Sequence, residues 1–223
     1  MKILLYKVNP VSGGEEAELY VELSSGENFE RSKFTVSAEM FFELGFSVNF
    51  TGEQELTREK YEEIALFAER HSAVKRGLSI LSFGDNTKKG LAGKLRTKGF
   101  SRESAEYAAE YLAEAGYINE AESAKLLARD MAEKKLYGAR RIAAALFEKG
   151  FSREAIAAAE DGVDVDFAAV CRKRIEKMGG RKLFAESETK KKAVAALLRY
   201  GFSYEDIKEA LKSKKILADG VHN

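Results

Sequence analysis

The stretch that decides the fold reads LRTKGFS at residues 95–101. It returns as LFEKGFS at residues 146–152 and as LLRYGFS at residues 197–203. The glycines of the three copies, Gly99, Gly150 and Gly201, are separated by the same 51 residues each time. Two equal intervals of this size predict an array of supersecondary units, each of about three helices.

The first copy of this motif contains the signals for one helix to end and the next to begin. Glycine has no Cβ, so Gly99 suits the left-handed residue that follows many helix ends. Leu95 and Phe100 then occupy the two positions that a Schellman ending joins by a hydrophobic contact. Ser101 can cap the next helix, whose first turn holds Glu103 near the positive end of the helix dipole. The matching residues of the other copies are Leu146, Phe151, Ser152 and Glu154, and Leu197, Phe202, Ser203 and Glu205.

The chain before the array has a different pattern. Residues 2–8, 18–23 and 27–36 are apolar-rich or alternating, which predicts two or three antiparallel strands. Ser37 can cap a short helix that ends at Gly45. The predicted fold is therefore mainly α, a solenoid-like array of tandem three-helix repeats preceded by a small strand region with a short helix. The predicted boundaries are 1–56 for the strand region, 57–116, 117–162 and 163–213 for the repeats, and 214–223 for a flexible tail.

Composition and charge set the class of protein. The chain is 45% hydrophobic and 33% charged, which is typical of a folded protein. The formal net charge is only +1, but residues 1–57 carry −6 and residues 163–223 carry +5. The single cysteine, Cys171, permits no internal disulfide, and no apolar run approaches the length of a membrane span. These features predict a cytoplasmic protein that does not enter a membrane.

The residues that usually carry catalysis are scarce. The two histidines are His222, in the predicted tail, and His71, which we interpret as an ordinary residue on a helix surface. With Cys171 they form neither a nucleophilic pair nor a zinc site, and Cys171 itself is interpreted as a small buried hydrophobe. No phosphate-binding loop motif occurs. We therefore predict a protein that is not an enzyme and needs no cofactor or metal.

Basic residues recur where the middle helix of each repeat is predicted to begin. The predicted caps are Thr87, Gly138 and Thr189, and cations follow each of them. Cations there oppose the helix dipole at a cost of about 0.3–1 kcal/mol each, so stability alone would favour acids. One interpretation is a stripe that receives a polyanionic partner, and the equally weighted alternative is solvated surface. With a second basic cluster, the predicted partner-binding residues are Lys89, Arg140, Arg141, Arg172, Lys173, Arg174, Arg181, Lys182, Lys190, Lys191 and Lys192.

The three glycine-ended helices, with GYINE at residues 116–120 and GARRI at residues 138–142, resemble the RecX family of bacterial recombination regulators. The resemblance covers residues 57–213, and the sequence departs from the family pattern at Gly84, Asn86 and Gly90. It implies tandem three-helix repeats that bind the RecA recombinase filament and inhibit or modulate its strand exchange, ATP hydrolysis and coprotease activity. The setting it implies is DNA recombination, DNA repair and the SOS response. No catalytic residues are known in the family, so none carry over.

Other functions stay open at this point. We expect the protein to be a monomer. Three-helix units resemble helix-turn-helix domains, so a protein that contacts DNA phosphates directly is the first alternative. An enzyme of unrecognised type and a purely structural scaffold are the others.

Overall fold

The computed structural model describes residues 2–10, 14–47, 50 and 52–212. The predicted tail, 214–223, lies outside the described residues, as does His222. The chain forms two compact units, Met1–Ile118 and Asn119–Asn223, which we call unit 1 and unit 2.

Unit 1 begins with an antiparallel sheet, as predicted. Its strands are β1 (Lys2–Pro10), β2 (Glu16–Ser25), β3 (Asn28–Ser37) and the short β4 (Gln54–Glu55), in the order β3-β2-β1-β4. Alternation along β2 places Ala17, Leu19 and Val21 in the core. The fourth strand, which pairs with β1, was not predicted.

Four helices complete unit 1: α1 (Ala38–Glu43), α2 (Arg58–Leu81), α3 (Lys88–Thr97) and α4 (Arg102–Glu114). Ser37 caps α1, since its Oγ accepts a hydrogen bond from the N–H of Met40 at 3.2 Å. One core cluster joins the sheet, α1 and the first part of α2, and another joins α2, α3 and α4.

Unit 2 is entirely helical in its described residues. It contains α5 (Glu120–Lys135), α6 (Ala139–Glu148), α7 (Arg153–Gly162), α8 (Phe167–Met178), a short 3-10 helix (Arg181–Phe184), α9 (Ser187–Arg199) and α10 (Tyr204–Lys212). A single core cluster includes Met131, Leu146, Ile175 and Leu197. The predicted fold class, tandem three-helix repeats after a strand region, is confirmed. The repeat boundaries 57–116, 117–162 and 163–213 stay a prediction.

The glycine-ended helices have the predicted geometry in all three copies. Gly99, Gly150 and Gly201 have φ angles of 95°, 86° and 89°, which a Cβ would disfavour. The N–H of the next phenylalanine donates to the leucine carbonyl five residues back, at 3.2–3.3 Å in every copy. Each leucine is buried, and each phenylalanine packs in the same core cluster as its leucine. The Leu–Phe latch is thus confirmed.

A carboxylate from the first helix of a repeat holds the start of the third helix. Glu69 on α2 accepts hydrogen bonds of 2.7 Å from the Ser101 N–H, the Ser101 hydroxyl and the Ser104 hydroxyl. One repeat later, Glu120 accepts a bond from the Ser152 N–H at 3.0 Å. We call this contact the carboxylate brace, and the sequence motif did not reveal it.

The third repeat uses a different carboxylate. The position equivalent to Glu69 and Glu120 is Cys171. There Asp206, on the capped helix itself, accepts from the N–H and the hydroxyl of Ser203, both at 2.7 Å. The brace is therefore local in this repeat, and Cys171 is left to pack in the core.

One predicted helix start is wrong. Thr87 and Gly138 are the cap residues of α3 and α6 as predicted, but α9 begins at Ser187 and its cap position is Glu186. Thr189 already lies inside α9, since its hydroxyl and the Lys190 N–H both donate to the Glu186 carbonyl. The acidic residues at the start suit the helix dipole better than the lysines that follow. Lys190, Lys191 and Lys192 therefore lie beyond the first three residues of the helix.

We predict that Leu146→Ala lowers the free energy of unfolding by about 2–5 kcal/mol, because it leaves a cavity under the latch. The neighbouring Phe147 is a matched control: it is 60% exposed whereas Leu146 is 1% exposed. Phe147→Ala is expected to change stability by no more than about 0.5 kcal/mol. Urea denaturation followed by circular dichroism measures both, and equal losses would contradict the buried latch.

We predict that Glu69→Ala costs about 1–3 kcal/mol at pH 7, because three donors lose their acceptor. Burial acts to raise the pKa of Glu69, but hydrogen bonds from the Ser101 N–H and from the Ser104 and Ser101 hydroxyls outweigh it and lower the pKa below 4.5. A lowered pKa in the folded state stabilises at neutral pH and loses this effect as the pH falls through that pKa.

The difference in stability between wild type and Glu69→Ala should therefore shrink in denaturation curves taken from pH 7 down to pH 3. Glu106→Ala is the control, since Glu106 is exposed and pairs with the exposed Arg102. A difference that stays constant with pH would rule out a charged brace.

Candidate partner-binding site

A groove of about 700 Å³ lies on unit 2, between the end of α5, one side of α6 and the end of α9. We call it the basic groove, because five of its lining residues are cationic and one, Glu148, is acidic. The cationic residues are Lys135, Arg140, Arg141, Lys149 and Arg199. An excess of cations in a concave surface concentrates positive potential there.

Two glycines in direct contact bring the walls of the groove together. The Gly138 N–H donates to the Tyr200 carbonyl at 2.8 Å, and the Arg140 N–H donates to the Gly201 carbonyl at 3.2 Å. A Cβ on Gly138 would overlap the backbone of Gly201, and a Cβ on Gly201 would overlap the backbone of Arg141. Because neither glycine has a side chain, the start of α6 can touch the end of α9.

This contact changes the predicted role of the α6 helix start. One of the N–H groups at that end, on Arg140, is already bonded to the Gly201 carbonyl. The start of α6 therefore presents the cationic side chains of Arg140 and Arg141, and its backbone donors are partly occupied by the protein itself.

Arginine side chains stack on two tyrosines beside the groove. The guanidinium of Arg141 lies 4.4 Å from the ring centroid of Tyr137 and 5.5 Å from that of Tyr200. Its Nη1 also donates to the Arg199 carbonyl at 3.2 Å. Arg141 is thus held in place by the wall it belongs to.

Arg174 is buried and also stacks on Tyr200. Its guanidinium lies 3.7 Å from the Tyr200 ring centroid, and it donates to the carbonyls of Lys135 and Leu136 at 2.6 and 3.3 Å. These carbonyls end α5, where a cation satisfies the helix dipole. Arg174 therefore supports the groove from inside the protein.

Three cations of the groove have no partner within the described part of the chain. The side chains of Arg140, Lys149 and Arg199 are exposed and make no hydrogen bond or ion pair with a described residue. They are free to bind an anionic group of another molecule.

Two of the eleven predicted residues, Arg140 and Arg141, line the basic groove. Lys89 is exposed on α3 of unit 1, and Lys190, Lys191 and Lys192 are exposed on α9, where Lys192 pairs with Glu188 at 3.0 Å. Lys173 and Lys182 are exposed, and Arg172 is half-buried. Arg181 donates to the Leu211 carbonyl at 2.8 Å, near the end of α10.

Sequence reasoning missed Lys135, Lys149 and Arg199. Lys149 and Arg199 lie inside the repeated motif, one and two residues before its glycine. That position marks them as residues of a helix end, and an alignment of the repeats could have shown that these ends carry cations. The sequence could not show which helix start lies beside these cations, because that depends on the contact between Gly138 and Gly201.

The candidate catalytic side chains are used structurally. Burial raises the pKa of the Cys171 thiol to about 12; the negative charge of Asp206 adds to this, and Arg172 opposes it. His71 is not an ordinary surface residue, since its half-buried ring binds Glu16 at 2.9 Å. Within the described residues, no three His, Cys, Asp or Glu side chains converge to hold a metal ion.

Within the described ranges, no helix is both long and apolar enough to cross a bilayer.

No protein-family model matches the chain. Individual proteins and solved structures that are similar to it share one name. A regulatory protein RecX of Caldanaerobacter subterraneus subsp. tengcongensis is 29% identical over 182 residues, which cover 80% of this chain and 86% of the relative. A regulatory protein RecX of Stenotrophomonas maltophilia is 32% identical over 139 residues, which cover 62% of this chain and 85% of the relative.

Two crystal structures share the fold. A regulatory protein RecX aligns with a TM-score of 0.67 and 19% identity, over 95% of this chain and all of the other. RecX from Lactobacillus salivarius aligns with a TM-score of 0.55 and 23% identity, over 65% of this chain and 95% of the other.

We predict that Cys171 is almost inert towards a thiol reagent in the folded protein at pH 8, because the thiolate is the reacting form. A pKa of about 12 instead of 9.0 lowers the thiolate fraction at this pH by about a thousandfold. Reaction with Ellman's reagent should therefore be suppressed by at least about a hundredfold relative to the urea-unfolded chain. Similar rates in the two states would contradict the buried, protonated thiol, and a Cys171→Ala variant gives the background.

Proposed function

Because the chain belongs to the RecX family of regulatory proteins, we propose that it binds the RecA recombinase filament in the cytoplasm. Binding inhibits or modulates the strand exchange, ATP hydrolysis and coprotease activity of RecA, and so controls recombination, DNA repair and the SOS response. The protein acts as a monomer and without catalysis of its own. The regulatory names of its relatives support a non-enzymatic role.

The observation that carries this proposal is the set of free cations in the basic groove. Arg140, Lys149 and Arg199 converge from two helices on one concave surface and are not neutralised by a described residue. A nucleoprotein filament offers two kinds of anion to such a surface, DNA phosphates and acidic side chains of the recombinase. Charge complementarity of this kind speeds association and sets register more than it adds affinity.

The wider partner-binding surface that we propose does not include Arg174, because this arginine is buried. Arg174 supports Tyr200 and the end of α5, so its loss would damage the fold before it affected a partner. Arg141 contributes charge to the groove while also holding its wall. The remaining predicted residues of unit 2 extend the surface beyond the groove, and they are Arg172, Lys173, Arg181, Lys182, Lys190, Lys191 and Lys192. Lys89 is proposed as a separate contact on unit 1.

Direct binding to DNA is the second candidate function. The same free cations fit phosphates, and phosphate contacts would make binding depend steeply on salt. The two candidate functions differ in the partner that the groove binds. In the first the groove binds the recombinase filament, and in the second it binds DNA without the recombinase.

We predict that the double variant Arg140→Glu, Lys149→Glu weakens binding to RecA filaments by at least about tenfold, because two favourable contacts become repulsive. Filaments are assembled on single-stranded DNA with an ATP analogue, and binding is measured by co-sedimentation. Inhibition of RecA ATP hydrolysis, measured with ATP, should weaken in parallel.

The matched control is Lys177→Glu, Lys208→Glu, which makes the same change in net charge at two exposed lysines of unit 2 outside the groove. Wild-type inhibition by the groove variant would refute the assignment. Equal binding to bare DNA and to filaments, with a steep salt dependence, would favour the DNA-binding alternative instead.

A further inference from the structure

Unit 1 contains a second cleft of different chemistry. It lies among the start of β2, α1, α2 and the end of α4, and its volume of about 470 Å³ is in the range of about 300–1,000 Å³ that ligand sites occupy. We call it the acidic cleft, after the carboxylates Glu15, Glu16 and Glu39 in its lining.

Three tyrosines form the aromatic part of the lining. Tyr107 and Tyr111 lie one turn apart on α4, and their rings stack with centroids 6.1 Å apart and an interplanar angle of 18°. Tyr117 follows the end of α4. Tyr111 is 41% exposed and Tyr117 is 61% exposed, so both present ring surface to solvent.

Two of the carboxylates are not compensated. Glu16 is engaged, since it accepts hydrogen bonds from Lys75 at 2.7 Å and from the His71 ring at 2.9 Å. Glu15 and Glu39 are exposed, and neither has a hydrogen bond or ion pair through its side chain within the described ranges. The cleft thus combines free negative charge with tyrosine ring faces and with the half-buried apolar side chains of Val74 and Leu78.

We propose that the acidic cleft binds an arginine side chain presented by a basic segment of a partner protein. A guanidinium is planar and stacks on aromatic rings, and its fork of donors matches carboxylates. Its aliphatic stem suits the apolar lining. The carboxylates repel phosphates, so a nucleic acid does not fit this site.

The chain itself pairs arginine with tyrosine in the same way. The guanidinium of Arg70 lies 4.7 Å from the ring centroid of Tyr107, and that of Arg174 lies 3.7 Å from Tyr200. Because Arg70 already occupies Tyr107, the rings available to a partner are those of Tyr111 and Tyr117. Unit 1, residues 1–118, carries a net charge of −4, which attracts a basic segment towards this unit. The proposal rests on unit 1 alone and does not depend on the basic groove.

The test uses the full chain and two acetylated, amidated peptides. One carries three arginines separated by glycines, and the other carries citrulline at the same places, which keeps the shape and removes the charge. Binding is followed by NMR of the tyrosine rings. We expect the signals of Tyr111 and Tyr117 to shift with the arginine peptide, and the citrulline peptide to bind at least about tenfold more weakly.

Variants separate the site from general attraction. Glu15→Gln with Glu39→Gln should weaken binding of the arginine peptide by at least about tenfold, and Tyr111→Leu by about three- to tenfold. The matched control is Glu27→Gln with Glu30→Gln, at the opposite end of the β2–β3 pair, where Ser25 pairs with Asn28. Equal weakening by the two glutamine pairs, or equal binding of the two peptides, would overturn the site.

Discussion

Glycine at the end of a helix is the constraint on which the structure depends. Gly99, Gly150 and Gly201 take the left-handed conformation, and this directs the following phenylalanine back onto the leucine of the same helix. The latch buries the leucine in every copy and packs the phenylalanine against the same core, and the next helix starts at a capping serine. The same turn occurs in all three copies, so the helix ends of the array have the same geometry even where the rest of the sequence differs between repeats.

The array also shows how one position can change role between repeats. Glu69 and Glu120 brace the third helix of their repeats, while Cys171 at the equivalent place packs in the core and Asp206 takes over the hydrogen bonds. The bond to the capping serine is kept, although the residue that supplies it differs. The first helix of the third repeat also contributes Arg174, which supports Tyr200.

The basic groove depends on a contact between two repeats, and this limited what could be predicted. Arg140 and Arg141 follow a helix cap in the sequence, so their location at the start of α6 could be predicted. Lys149 and Arg199 could not be placed beside them, because Gly138 and Gly201 are 63 residues apart in the chain. The cap of α9 was predicted three residues late, at Thr189 instead of Glu186, because threonine is a common cap residue and Glu186 makes no side-chain cap hydrogen bond.

The sequence by itself determined the repeated motif, the helix ends and the strand-rich start, because these follow from local backbone chemistry and from spacing. It pointed to the family through the resemblance of its motifs at residues 95–101, 116–120 and 138–142 to those of RecX proteins. Only the tertiary structure decided which cations are free. Arg174 and Arg140 look alike in the sequence, yet one is buried against Tyr200 and the other lines a groove. The physical reason is that exposure and pairing are set by what packs against a helix face, and that partner comes from a distant part of the chain.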